Sequence, residues 1–169
     1  MNFIVAADEK WGIGKDNGLL FRIPGDLKYF KQKTSNKIVV MGEATLKSLP
    51  GGKPLSGRTN IVLSDDPAFR PEDVILARTA SALFAELEKY PDDDIFIIGG
   101  ASVYNQFMDY CKFGYVTKIN ARAAADKFLN SLDNRDGWRL KEQSSPFSHG
   151  EISYRFTVYE NSNVLRRSV

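Results

Sequence analysis

A chain of 169 residues, 43% hydrophobic and 26% charged, has the size and make-up of one globular domain with a real core. Its formal charge of +2 gives no electrostatic reason to bind nucleic acid or a membrane. The lone cysteine, Cys111, and lone histidine, His149, argue against a disulfide, a cysteine zinc cluster, a His-based metal site and a Ser-His-Asp triad. The opening MNFIVAADEKWGIG has no secretory or membrane-spanning pattern, so a cytoplasmic protein is expected.

The first predicted strand is FIVAA (3–7). WGIGKDNGLLF (11–21) follows as a glycine-rich loop with too many apolar residues to be fully solvated. It reads either as a loop packed on the core or as a lid that closes over a ligand and excludes water. A helix is predicted over Asp26–Lys33, opened by Pro24–Gly25 and showing Leu27 and Phe30 inward. Then strands and helices alternate: IVVM (38–41), helix Glu43–Leu49, NIVL (60–63), VILA (74–77), helix Ala80–Lys89, IFIIGG (95–100), helix Ser102–Tyr110 and YVTKI (115–119). Continuous Val/Ile runs between helical patterns predict an α/β fold with a mostly parallel sheet buried on both faces. ISYRFTVYE (152–160) alternates, which predicts a long antiparallel strand near an edge. Ile152, Tyr154, Phe156 and Val158 are expected to point inward, with Ser153, Arg155, Thr157 and Tyr159 outward. No linker or repeat divides the chain, so one domain is expected over 1–162 and a frayed tail with solvated arginines over 163–169.

Four places carry candidate chemistry. Asp26 stands at a helix start among apolar neighbours, either as a cap or as the ionisable group of an apolar pocket, where a ligand with adjacent N–H groups would satisfy it. In FIIGGASVY (96–104), Gly99–Gly100 is either a tight strand-to-helix turn or a place where backbone approaches a ligand phosphate. It is not a full dinucleotide fingerprint, because G-x-G-x-x-G is absent. Gly42 and Thr45 open a short helix after a strand and form a second candidate phosphate site. Arg58 is either a solvated arginine or a fork for a carboxylate.

In order and spacing, IVAADEKWGIG, PGDLKYFK, VVMGEAT, LSGRTNIVLS, FIIGGASVY, YVTKI and ADKF together resemble the dihydrofolate reductase family over nearly the whole chain. The resemblance implies an eight-stranded, mostly parallel sheet with an antiparallel C-terminal strand and about four helices. It implies reduction of 7,8-dihydrofolate to tetrahydrofolate with NADPH by a monomer that also binds antifolates such as methotrexate, with no metal.

Position by position, it implies a catalytic role for Asp26, with Thr117 assisting it through water, and for Phe21. It places Val5, Ala6, Leu27, Phe30, Leu49, Leu55, Ile98 and Tyr104 around the substrate and Arg58 at its glutamate carboxylate. It assigns to the cofactor Ala7, Ile13, Gly14, Gly18, Leu19, Gly42, Glu43, Ala44, Thr45, Leu63, Ser64, Asp65 and Arg78. Gly99, Gly100, Ala101, Ser102, Val103 and Tyr104 complete that set, with a cis bond at Gly99–Gly100, and Asp126 steadies the lid.

Four positions depart from the family. Phe21 stands where many relatives have a tryptophan and cannot donate an indole N–H. Glu43 replaces a usual arginine at the cofactor's 2′-phosphate, and Asp65 and Ser102 fall where relatives often place phosphate-friendly residues. Acids there narrow the advantage of NADPH over NADH, with Lys47 or Arg78 as possible compensation. Two other readings remain open: a same-fold reductase of a riboflavin-pathway aminopyrimidine, and a non-catalytic nucleotide-binding module.

Overall fold

The computed structural model describes residues 1–168. Twelve strands occur among them: β1 (Asn2–Ala7), β2 (Gly12–Lys15), β3 (Gly18–Leu19), β4 (Ile38–Gly42), β5 (Thr59–Leu63), β6 (Ile75–Ala77), β7 (Ile95–Gly99), β8 (Phe113–Asn120), β9 (Lys127–Phe128), β10 (Trp138–Gln143), β11 (Phe147–His149) and β12 (Ile152–Asn161). The helices are α1 (Pro24–Thr34), α2 (Glu43–Ser48), α3 (Ala80–Leu87) and α4 (Ala101–Phe107). α3 stops at Leu87 rather than Lys89. α4 begins one residue before Ser102, and Met108–Tyr110 continues it as a 3₁₀ turn.

The main sheet runs β10-β12-β8-β1-β7-β4-β5-β6. β12 pairs antiparallel with both neighbours, so the other seven strands of this path share one direction, as the sequence reading expects. β11 adds a hairpin onto β12. The central strands β4, β5 and β7 carry apolar runs because helices and loops cover both faces; Val39, Val40, Ile61, Val62, Ile95 and Ile97 are wholly buried.

β12 lies one strand in from the edge, near it as expected, and β10, whose WRLKEQ is mostly polar, takes the edge itself. Two other expectations about the C-terminal part fail. Thr157 and Tyr159 are buried rather than outward. Thr157 Oγ1 donates to the Val116 carbonyl at 2.6 Å, and the Tyr159 hydroxyl donates to Asp133 at 2.8 Å while its ring meets Trp11 edge-on. A strand covered on both faces needs no polar side, provided its hydroxyls find acceptors. The tail also docks: Leu165 N–H donates to the Asp109 carbonyl at 2.9 Å, and Arg167 pairs with Asp92.

β1 pairs with β8 along its whole length but with β7 only at Asn2 and Phe3. Beyond that point β1 and β7 part. A cleft therefore opens at the C-terminal ends of the parallel strands, where ligands of open α/β sheets bind.

Candidate active site

Asp26 enters this cleft from the first turn of α1. Pro24 sits at the first helical position, where its missing N–H costs nothing, and Ile23 is the N-cap residue without a side-chain cap bond. Asp26 therefore caps nothing. Instead, Thr117 Oγ1, 91 residues away in sequence but adjacent in space, donates directly to Asp26 Oδ1 at 2.6 Å. Thr117 lies opposite Ala6 in the β1–β8 ladder and is 1% exposed, so the strand register fixes the donor. Burial pushes the Asp26 carboxyl above its ordinary range, opposed by the Thr117 hydrogen bond. Gly25 is required beside it: a Cβ there would lie 2.1 Å from the Tyr154 hydroxyl oxygen.

Ala6 and Phe21 pack on Ile23, Ile119 and Tyr154 at one side of the acid. Val5 is buried in the main core. Leu27 is half-buried one turn before Phe30, and Phe30, Leu49 and Leu55 join Ile98 in a separate apolar cluster. Arg58 borders that cluster. Its Nε donates to Thr34 Oγ1 at 3.1 Å, NH1 donates to the Ser56 carbonyl at 3.2 Å, and the guanidinium faces the Phe30 ring at 5.9 Å. Asn60, which the sequence reading missed, staples this loop: its amide oxygen accepts from Leu55 N–H at 3.0 Å and its nitrogen donates to the Leu55 carbonyl at 2.9 Å. The available signal was an amide opening an otherwise apolar strand.

Across the cleft, the Gly99–Gly100 bond is cis, and Gly99 has φ +124°. A Cβ on Gly99 would meet the Tyr104 ring at 3.2 Å, and one on Gly100 would meet Thr45 Oγ1 at 3.3 Å. Tyr104 is buried and donates to the Ile4 carbonyl at 2.7 Å. Gly42 packs against Val103, while Ala101 is half-buried and Ala44 and Ser102 are exposed. Neither α2 nor α4 has a side-chain cap.

Glu43 is not isolated. Ser64 Oγ donates to its Oε2 at 2.5 Å and Lys47 pairs with its Oε1; these contacts, Lys47 first, hold its carboxyl below the ordinary value. Arg78 is held in place by donating to the Ser64, Asp66 and Phe69 carbonyls, and its charge adds a smaller contribution to holding the Glu43 carboxyl down. Leu63 is half-buried and Asp65 exposed.

The predicted lid is a small sheet, β3-β2-β9. Asp16 (φ +50°) and Asn17 (φ +59°) form the two-residue turn between β2 and β3, a twist that suits a tight hairpin. Ile13 packs on the core, Gly14 pairs with Leu19 and Gly18 with Lys15, and Leu19 is left 63% exposed. Asp126 holds this sheet: its carboxylate accepts from Asp16 N–H at 3.0 Å and its own N–H donates to the Gly14 carbonyl at 3.0 Å.

The family model described as dihydrofolate reductase matches residues 1–161. The chain belongs to the dihydrofolate reductase family. It is an NADPH-dependent oxidoreductase that reduces dihydrofolate to tetrahydrofolate. It is 33% identical to dihydrofolate reductase of Staphylococcus haemolyticus, over 95% of each chain. It is 31% identical to the type 9 reductase of Escherichia coli, over 98% of this chain and 95% of that one. Among solved structures, dihydrofolate reductase from Enterococcus faecalis, complexed with NADP(H) and RAB-propyl, superposes with a TM-score of 0.84 at 30% identity, over 95% of each chain.

Proposed function

We propose that Asp26 binds and orients the pterin of dihydrofolate at the mouth of the β1–β7 cleft. The observation that carries this reading is a desolvated carboxylate held by one hydroxyl donor, Thr117, at 2.6 Å. Its remaining lone pairs suit two adjacent N–H groups, such as the amino group and ring nitrogen of a pterin. The same pairing would hold a diaminopteridine such as methotrexate. Ala6, Phe21, Ile98 and Tyr104 would enclose the rings, Phe30, Leu49 and Leu55 the aminobenzoate, and Arg58, already oriented by Thr34, the glutamate carboxylate.

The cofactor fits the residues present. The Gly99–Gly100 backbone is bare because any Cβ would crowd Tyr104 or Thr45, and the first amides of α2 and α4 are free of side-chain caps. When bound, NADPH supplies the hydride, delivered from nicotinamide C4 to the pterin carbon next to N5. The Asp26 charge favours a protonated N5, the proton arriving through water. Leu19 closes over the reacting atoms and excludes bulk water.

Asp26→Asn should keep the Thr117 contact, because the amide oxygen also accepts. Turnover at neutral pH should fall by about 10²-fold or more, the range of general acid–base effects, with a smaller loss in acid, where solvent supplies the proton. Initial rates across pH check this, and a variant as fast as the parent at neutral pH would remove Asp26 from the reaction. The same reading has residues 1–162 acting as one domain, with 163–169 as a tail, in a cytoplasmic monomer. Its support is that the large exposed apolar residues among the described ones fall in pairs on the lid sheet, on β10 and β11, and in the tail, and that the one cysteine is buried; sedimentation tests the monomer.

A further inference from the structure

A second buried carboxylate lies outside the pterin site. Asp8 is 1% exposed, at the root of the lid, and follows directly on β1. Its Oδ1 accepts from Lys10 N–H at 2.9 Å and Gly12 N–H at 2.8 Å, which folds the root into a tight turn. Its Oδ2 reaches across to accept from Ala123 N–H at 3.2 Å. Ala123 belongs to the segment between β8 and β9, the same segment that presents Asp126 to the lid. One carboxylate thus ties the lid root to the segment that grips the lid tip.

The contacts around it run the same way. Glu9 N–H donates to the Ala121 carbonyl at 3.2 Å, and Leu129 N–H donates to the Trp11 carbonyl at 2.9 Å. Trp11 is buried with φ +61°, a backbone state that a bulky side chain adopts only when its surroundings impose it. A Cβ on Gly12 would lie 2.6 Å from Ala125 Cβ, so root and segment already touch at van der Waals distance. Farther along, Asn105 of α4 donates to the Phe128 carbonyl at 3.1 Å and accepts from Asn130 N–H at 2.8 Å.

We propose that Asp8 is a positioning residue for the lid: by bridging Gly12 and Ala123 it sets the register of β2 against β9, and with it the fraction of molecules whose lid is closed. The proposal rests on the reading of residues 11–21 as a lid. If a variant lowers the closed fraction, apparent cofactor affinity falls by the same factor. The folate tail site around Phe30 and Arg58 lies on other elements and should not respond.

Asp8→Asn is the informative variant. Its single amide oxygen can serve either the Lys10 and Gly12 amides or Ala123, and the NH₂ opposes the other donor. The expected result is NADPH binding weakened about five- to tenfold and kcat lowered, with the dihydrofolate KM within about twofold of the parent and faster amide exchange at residues 15–19. Asp126→Asn should give the same pattern, and the double variant should be little worse than the worse single, because both act on one closed state. Asp8→Asn with parental NADPH affinity and parental exchange at 15–19, beside a defective Asp126→Asn, overturns the proposal while sparing the lid. Losses that multiply in the double variant overturn it as well. A silent Asp126→Asn removes the lid reading itself and the proposal with it.

Discussion

The carboxylate of Asp26 works against the stability of the fold that holds it. Burial raises its pKa, with the Thr117 hydrogen bond opposing, so the native state binds this proton more tightly than the unfolded chain does. By linkage, such a group makes stability fall as pH rises from the unfolded value through the folded one. Asp26→Asn carries no charge to desolvate and keeps the Thr117 contact. It should therefore melt higher than the parent at neutral pH. The difference should shrink as pH falls through the raised pKa toward the ordinary carboxylate range. Thermal melts of both proteins at neutral and acidic pH check it, and equal melting points at neutral pH would show that the site solvates the charge. A more stable but slower variant is the trade expected of a site built for chemistry.

At the scale of elements, α2 and the end of β5 meet through Glu43. It opens the helix, accepts from Ser64 at 2.5 Å, and pairs with Lys47 one turn on. We place this junction beside the adenosine-ribose phosphate that distinguishes NADPH from NADH. Lys47 and, more weakly, Arg78 offset part of the Glu43 charge, which leaves less positive potential for a phosphate than an arginine at position 43 would give. Glu43→Arg should tighten NADPH about tenfold, leave NADH nearly unchanged, and lose the gain in high salt. Parallel titrations of both cofactors at two salt concentrations read this out; equal gains for both would move the phosphate elsewhere. Glu43 was legible as an oddity in the sequence, but its partners were not, because Ser64 lies 21 residues away and the contact exists only when β4 and β5 align. The same limit hid the direct Asp26–Thr117 bond, which spans 91 residues and depends on the β1–β8 register. Parallel strands and helix faces were readable because each signal lies within one segment. The β12 pattern misled for the opposite reason: Thr157 and Tyr159 look solvent-facing by polarity, yet Val116 and Asp133 accept from them inside the fold.

Across the whole molecule, the two ends of the main sheet carry different duties. The C-terminal ends of β1, β4, β5 and β7 meet at Ala7, Gly42, Leu63 and Gly99, where the β1–β7 cleft opens beside Asp26. The opposite end is closed by the tail. Leu165 bonds the Asp109 carbonyl at 2.9 Å, Arg167 pairs with Asp92 just before β7, and Asn161 donates to the carbonyls of Asp109 at 3.3 Å and Cys111 at 3.2 Å. Residues 163–169 can therefore be removed without touching a group placed in the cleft, and Asn161 stays. The deletion removes the Leu165 bond and the Asn163 N–H to Asn161 Oδ1 bond at 2.9 Å, the latter from an exposed residue and worth little, so about 1 kcal/mol is lost here, and the Arg167–Asp92 pair, with Asp92 more than half exposed, adds at most about as much. For a chain of this length the deletion should lower the melting temperature by about 2–8 °C. Turnover and the affinities for NADPH and methotrexate should stay at parental values well below the new melting temperature. Differential scanning calorimetry beside initial rates at about 25 °C makes the comparison. Turnover falling in proportion to lost stability would mean that the closed end of the sheet helps set the geometry of the cleft, and the separation of duties would have to be abandoned.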